Sequence, residues 1–155
     1  VDFENIKTVR FKTALPMVGD IAAGEPFRGF DIENLQNAHD DLQWIEVPEK
    51  YCNDRSFIVR TAGDSMEPTL MKGDYLVCEY HRHRQENNSL VIMGDFSVLS
   101  AGEVAIKRIS ESESHWIFKS DNPSYDDILL EKEYDDQYPI LGIVLYNLTR
   151  AECCR

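Results

Sequence analysis

The feature that most limits how this chain can fold is a series of short runs dense in Val, Ile, Phe and Tyr, each cut off within a few residues by Gly, Pro, Asn or Asp. Ser56–Arg60, Asp74–Tyr80, Leu90–Met93, Val104–Ile109, Trp116–Lys119 and Ile140–Leu148 are all of this kind. Side chains branched at Cβ and aromatic side chains fit a pleated surface, and the turn-forming residues between them end each run. No heptad pattern, internal repeat or low-complexity tract competes with this pattern, so a mostly β fold is expected. Trp44-Ile45-Glu46-Val47 alternates like one more short strand and stops at Pro48. With 155 residues, 43% of them hydrophobic, the chain can bury one core, and two independent cores would leave each too small.

Residues 1–30 read as an extended N-terminal arm, interrupted by Pro16 and Gly19 and ending in the small, turn-prone stretch Ile21-Ala22-Ala23-Gly24-Glu25-Pro26. Residues 31–155 read as the domain proper. Loops are expected over 81–88 and over the acidic 129–138 region. The chain begins at Val1, and an upstream portion is expected.

Formal charge excludes one function for this segment. At −12 the chain opposes a phosphate backbone, and nucleic-acid affinity comes mainly from Lys and Arg displacing counterions. The acidic pairs Asp40-Asp41, Asp126-Asp127 and Asp135-Asp136 read as solvated surface. The four cysteines (Cys52, Cys78, Cys153, Cys154) have no spacing that closes a disulfide framework and are expected to be reduced thiols in a cytoplasm. No stretch approaches the roughly 20 apolar residues that span a bilayer, and no basic-then-apolar leader opens the chain, so no membrane partner is expected.

The candidate chemistry lies in two blocks. Arg60-Thr61-Ala62-Gly63-Asp64-Ser65-Met66-Glu67-Pro68-Thr69-Leu70 leaves a strand through a glycine and enters a helical turn, which can hold the Ser65 hydroxyl at the edge of a cleft. Val104-Ala105-Ile106-Lys107-Arg108-Ile109 reads as a strand with Ala105 and Lys107 on one side and Val104 and Ile106 on the other. A serine hydroxyl is a weak nucleophile until an adjacent base takes its proton, and a lysine serves as that base only when burial works against its ammonium form. The plain alternative for any one Ser and Lys is a serine capping its own turn and a lysine facing water.

The wider sequence distinguishes the two. Gly63-Asp64-Ser65-Met66, then Pro68-Thr69-Leu70, Gly73-Asp74, Ala105-Ile106-Lys107-Arg108 and Ser120-Asp121-Asn122-Pro123-Ser124-Tyr125 resemble, in order, the clan of Ser-Lys peptidases that contains LexA, UmuD, phage repressors and type I signal peptidases. The resemblance runs from Gly19 to Leu148. It implies a LexA-like fold of curved antiparallel sheets with few short helices, Ser65 as nucleophile and Lys107 as general base. It also implies an oxyanion site built from the backbone amides of Ser65 and Asp64, and an active-site wall that includes Met66, Asp121 and Asn122. The stretch Val18–Pro26 resembles the small-residue cleavage segment of LexA-like members, which places the scissile bond between Ala23 and Gly24. Gly24 lets the backbone turn sharply there.

The resemblance further implies a homodimer, a RecA–DNA filament as activator, and DNA contact only through an upstream domain. No cofactor or metal is implied: His81-x-His83 with Cys78 nearby has two ligands on one side of a strand, but lies in a loop that also carries Arg82 and Arg84 and lacks a further ligand cluster. Two other readings are a signal-peptidase-like protease acting in trans, because Ser65–Leu70 is very close to that branch's serine block, and a non-catalytic dimerisation or sensing module.

Overall fold

The structure, a computed structural model, describes residues 12–19, 43–61, 63–80, 84–93, 105–132 and 140–154. The segments holding Ala23-Gly24, His81 and His83 lie outside these residues. Ten strands are described: β1 (Ala14–Gly19), β2 (Trp44–Glu46), β3 (Ser56–Arg60), β4 (Tyr75–Tyr80), β5 (Ser89–Met93), β6 (Ile106–Glu111), β7 (His115–Lys119), β8 (Ile128–Glu131), β9 (Ile140–Asn147) and β10 (Glu152–Cys153). One short 3-10 helix, Glu49–Tyr51, is the only helix among the described residues, and no helix there is long and apolar enough to cross a membrane.

The strands hydrogen-bond in the order β2-β1-β3-β4-β9-β5-β6-β7-β8, with β10 added to β9. Pairing is antiparallel, as expected, except between β1 and β3, which run parallel and make the sheet mixed. The long connection from Gly19 to Ser56 permits this, since a parallel pair needs a crossover and cannot be closed by a hairpin. Pro16 lies inside β1 without breaking it. It faces Trp44 on β2, and pairing with β3 begins only at Met17, so its missing N–H falls where β3 asks for no donor. Strand β8 overlaps the start of the 129–138 stretch read from sequence as acidic loop. Its Ile128 and Leu130 pack against the core while Leu129 faces solvent, the alternation of an edge strand with one buried face.

The central strands are buried on both faces, which accounts for their continuous apolar runs. Phe57 and Val59 join one cluster with Leu76, Cys78, Leu90, Ile92 and Ile106, whereas Ile58 and Val77, turned the other way, join a second with Leu15, Met17 and Val47. Val91, Met93, Ile109, Trp116, Phe118 and Ile143 form a third. Each fully buried side chain of this size contributes about 1.5–3 kcal/mol relative to exposure. All four cysteines are free thiols. Cys78 is sealed in the core, where burial first and the neighbouring Cys154 second push its thiol well above the usual range, so it packs as a small hydrophobe and does not serve as a nucleophile.

One strand position tests how closely β4 and β9 are set together. A Cβ added at Gly142 would come within 2.6 Å of the Glu79 carbonyl oxygen, a backbone atom that cannot swing away. Gly142→Ala should therefore lose about 1–3 kcal/mol of stability despite the lower chain entropy of alanine. A urea melt should show a lower midpoint with an unchanged m-value.

Candidate active site

The turn after β3 is fastened before its chemistry begins. Thr61 N–H donates to the Asp74 carbonyl and Gly73 N–H to the Thr61 carbonyl, closing the loop at its base. The Asp74 carboxylate, 4% exposed, accepts from Met71 N–H and from the Asn147 side-chain amide, and meets Arg150 at 3.3 Å. Above this base the chain makes a helical turn, with Glu67 N–H donating to the Asp64 carbonyl and Leu70 N–H to the Met66 carbonyl; the Glu67–Pro68 peptide is cis. Met66 and Leu70 drive their side chains into the core cluster under β3 and β4. Met66, expected in the active-site wall, thus anchors the turn from below. Ser65 is left at the surface of a turn that cannot shift without extracting two buried side chains.

Strand β6 carries the lysine. It lies between β5 and β7, with Val91 opposite Lys107 across the β5 pair. Strand alternation sends Ile106 into the cluster below Ser65 and turns Lys107 to the other side, as its neighbours in sequence predict. The Lys107 side chain is buried, at 7% exposure, and its Nζ donates to Ser65 Oγ at 2.8 Å and to Ser120 Oγ at 2.9 Å. The Tyr125 ring lies 5.8 Å from the same nitrogen.

Segment 120–125, the third piece, follows β7. It holds the nucleophile turn at three points: Asn122 N–H donates to the Ser65 carbonyl (2.9 Å), the Asn122 side-chain amide donates to the Asp64 carbonyl (3.0 Å), and the Tyr125 hydroxyl donates to the Asp64 carboxylate. The Asp64 side chain is thereby engaged by Tyr125. Asp121 joins two elements, accepting from Thr69 Oγ1 on the turn and forming a two-pronged ion pair with Arg108 of β6. Burial alone would raise the Asp121 carboxyl, but the hydrogen bonds from Arg108 and Thr69 and the Arg108 charge outweigh it and hold the group below the usual carboxylate range.

The structure therefore brings Ser65, Lys107, Asp64, Asp121 and Asn122 into one constellation, while Ala23 and Gly24 lie outside the described residues. Sequence reasoning gave no role to Ser120, Thr69, Arg108 or Tyr125. Hairpin register carried the signal for Ser120: the ladder ends with Arg108 opposite Lys119, and the next residue on each strand, Lys107 and Ser120, meets the other side chain to side chain. A buried amine with one serine at hydrogen-bond distance and a second hydroxyl fixing its position is equipped to take a proton from that serine and return it to a leaving group.

Comparison with known proteins agrees with this geometry. Residues 16–145 match the family model described as Peptidase S24-like. The LexA repressor of Shewanella woodyi is 26% identical over 118 residues, covering 76% of this chain and 51% of the relative. That of Brevibacillus brevis is 23% identical over 119 residues (76% and 51%), and that of Shewanella frigidimarina 26% over 121 residues (77% and 53%). The chain spans about half the length of the curated relatives it matches. With the family model covering 16–145 and the strand pattern of a LexA-like domain beneath it, the chain belongs to the Peptidase S24-like family.

Proposed function

We propose that this chain is the self-cleaving peptidase domain of a LexA-like repressor or stress-response regulator, cutting its own Ala23-Gly24 bond. The observation that carries the reading is the 2.8 Å contact between the buried Lys107 amine and Ser65 Oγ. In the reactive state the proton lies on the serine: Ser65 O–H donates to a neutral Lys107 Nζ, Oγ attacks the Ala23 carbonyl carbon, and the amine takes the proton. As the tetrahedral intermediate collapses, Lys107 returns that proton to the nitrogen of Gly24, leaving Ala23 as an ester on Ser65. Water, deprotonated by the same lysine, then hydrolyses the ester. Ser120 Oγ holds the amine in place through both steps.

Tethering explains how so spare a site suffices. Holding the scissile bond beside the nucleophile replaces a bimolecular encounter, and ideal alignment lowers the barrier by about 7–11 kcal/mol. The arm acts as a switch between a docked and an undocked position, and an activator such as a RecA–DNA filament works by binding the docked state more tightly. In this reading the protein acts as a homodimer, and DNA contact belongs to a part outside the present sequence.

Intact mass spectrometry across pH tests the reading. Fragments 1–23 and 24–155 should accumulate faster as pH rises, because deprotonation of Lys107 generates the base. Ser65→Ala should abolish them, and Lys107→Ala should slow their formation by about 10²–10⁴-fold. A wild-type chain that stays whole at every pH would turn attention to substrates in trans or to a non-catalytic role.

Stability at acid pH follows from Asp121. A carboxyl whose folded value is depressed stabilises the fold above its unfolded value of about 3.9 and loses that contribution as pH falls through the folded value. Asp121→Asn should therefore melt below wild type at pH 7, and the two melting curves should converge once pH has fallen through the folded value of Asp121.

A further inference from the structure

The arrangement around Ser65 contains a device that the Ser-Lys pair does not need for proton transfer. Asn122 makes two hydrogen bonds to successive carbonyls of the nucleophile turn, its side-chain amide to Asp64 and its backbone N–H to Ser65. The Asp64 carbonyl also accepts from Glu67 N–H, so it is held by two donors. In a trans peptide the C=O and the following N–H point in opposite directions. Fixing the Asp64 carbonyl toward Asn122 and Glu67 therefore fixes the Ser65 N–H on the other side of the same peptide plane. That N–H makes no hydrogen bond among the described residues, although the surrounding turn is densely bonded.

We infer that Asn122 is the positioning residue of the oxyanion site: by holding the Asp64–Ser65 peptide plane through its side chain, it keeps the Ser65 N–H unpaired and aimed where negative charge develops on the scissile carbonyl. A preorganised donor stabilises that charge because it does not have to reorient during the reaction, whereas a freely rotating peptide plane would. Asn122 acts here without touching the substrate. The inference rests on Ser65 being the nucleophile and adds to that reading the group that orients its amide.

The residue offers a selective substitution. Asn122 Oδ1 also accepts from Ser124 N–H, which shapes its own loop. Asn122→Asp keeps that acceptor and the backbone N–H bond to Ser65 and replaces the donor to Asp64 with a charged carboxylate, which also acts on Lys107. Asn122→Ala removes the whole side chain and serves as the second variant.

The experiment follows full-length chains by two readouts, the pH profile of self-cleavage and the affinity for a peptide boronate, Ile-Ala-Ala-boronate, that copies residues 21–23. Ser65 Oγ adds to the boron, its proton passes to Lys107, and the resulting tetrahedral boronate carries the negative charge that the oxyanion site would stabilise. Both variants should lose about 10–100-fold in the high-pH plateau of cleavage and a similar factor in boronate affinity. In Asn122→Ala, which adds no charge, the pH at half-plateau should stay at the wild-type value, because Lys107 is untouched, and melting temperatures should show both variants folded. Wild-type plateau and affinity in the folded variants would overturn the inference while leaving the proposed function intact. So would a loss in Asn122→Ala that appears as a shifted half-plateau pH, which would place Asn122 with the lysine. A wild-type chain that neither cleaves itself nor binds the boronate would overturn the proposed function and this inference together.

Discussion

Burial of a lysine amine is the constraint around which the site is organised. An amine at 7% exposure has given up most of its water, and it stays only where acceptors replace that water. Here two serine hydroxyls do so, Ser65 from the turn after β3 and Ser120 from the end of β7. The three residues come from three separate parts of the chain, and the sheet brings them together: β6 lies between its hairpin partner β7 and β5, while β5 connects through β9 and β4 to β3. A slip of one residue in β6 would turn Lys107 to the opposite face and carry Arg108 into its place. The mixed, doubly buried sheet is in this sense the scaffold that a Ser-Lys pair requires.

Around that pair the polar residues divide into two groups that do different things. Asp74, deep beneath the turn, ties it to β9 and the C-terminal segment through Asn147 and Arg150, and Met66 and Leu70 hold it from inside the core. Asp121, Asn122 and Tyr125 hold the same turn from above, and Arg108 connects that clasp to the strand that carries the lysine. Nucleophile and base are thus linked twice, once directly and once through Arg108–Asp121–Thr69. A charged bridge of this kind couples site geometry to acid pH.

Under the proposed self-cleavage, a tethered substrate would relieve the site of an encounter step. A bond held beside a nucleophile reacts without the entropy cost of an encounter. The family membership and the geometry meet in one constellation, Ser65 with Lys107, which the sheet and the clasp over the turn hold in place.

Much of this was legible in the amino-acid order. Strand-forming runs, their alternation and the Gly-Asp-Ser-Met turn are local features, and they announced a β domain, a serine on a turn and a lysine facing away from Ile106. Edge strand β8 was hidden because its Ile128 and Leu130 bury one face of a segment surrounded by acids, and β1 because Pro16 suggests a break that its register makes harmless. The positions of Ser120 and Arg108 depended on hairpin register, and the clasp of Asn122 and Tyr125 on Asp64 spans about 60 residues of chain. Local sequence determined which groups could do chemistry, because rotamer, propensity and alternation act over a few residues. Only the tertiary structure decided which hydroxyls meet the lysine and which carbonyls the asparagine holds, because those pairings follow from the register of strands distant in sequence.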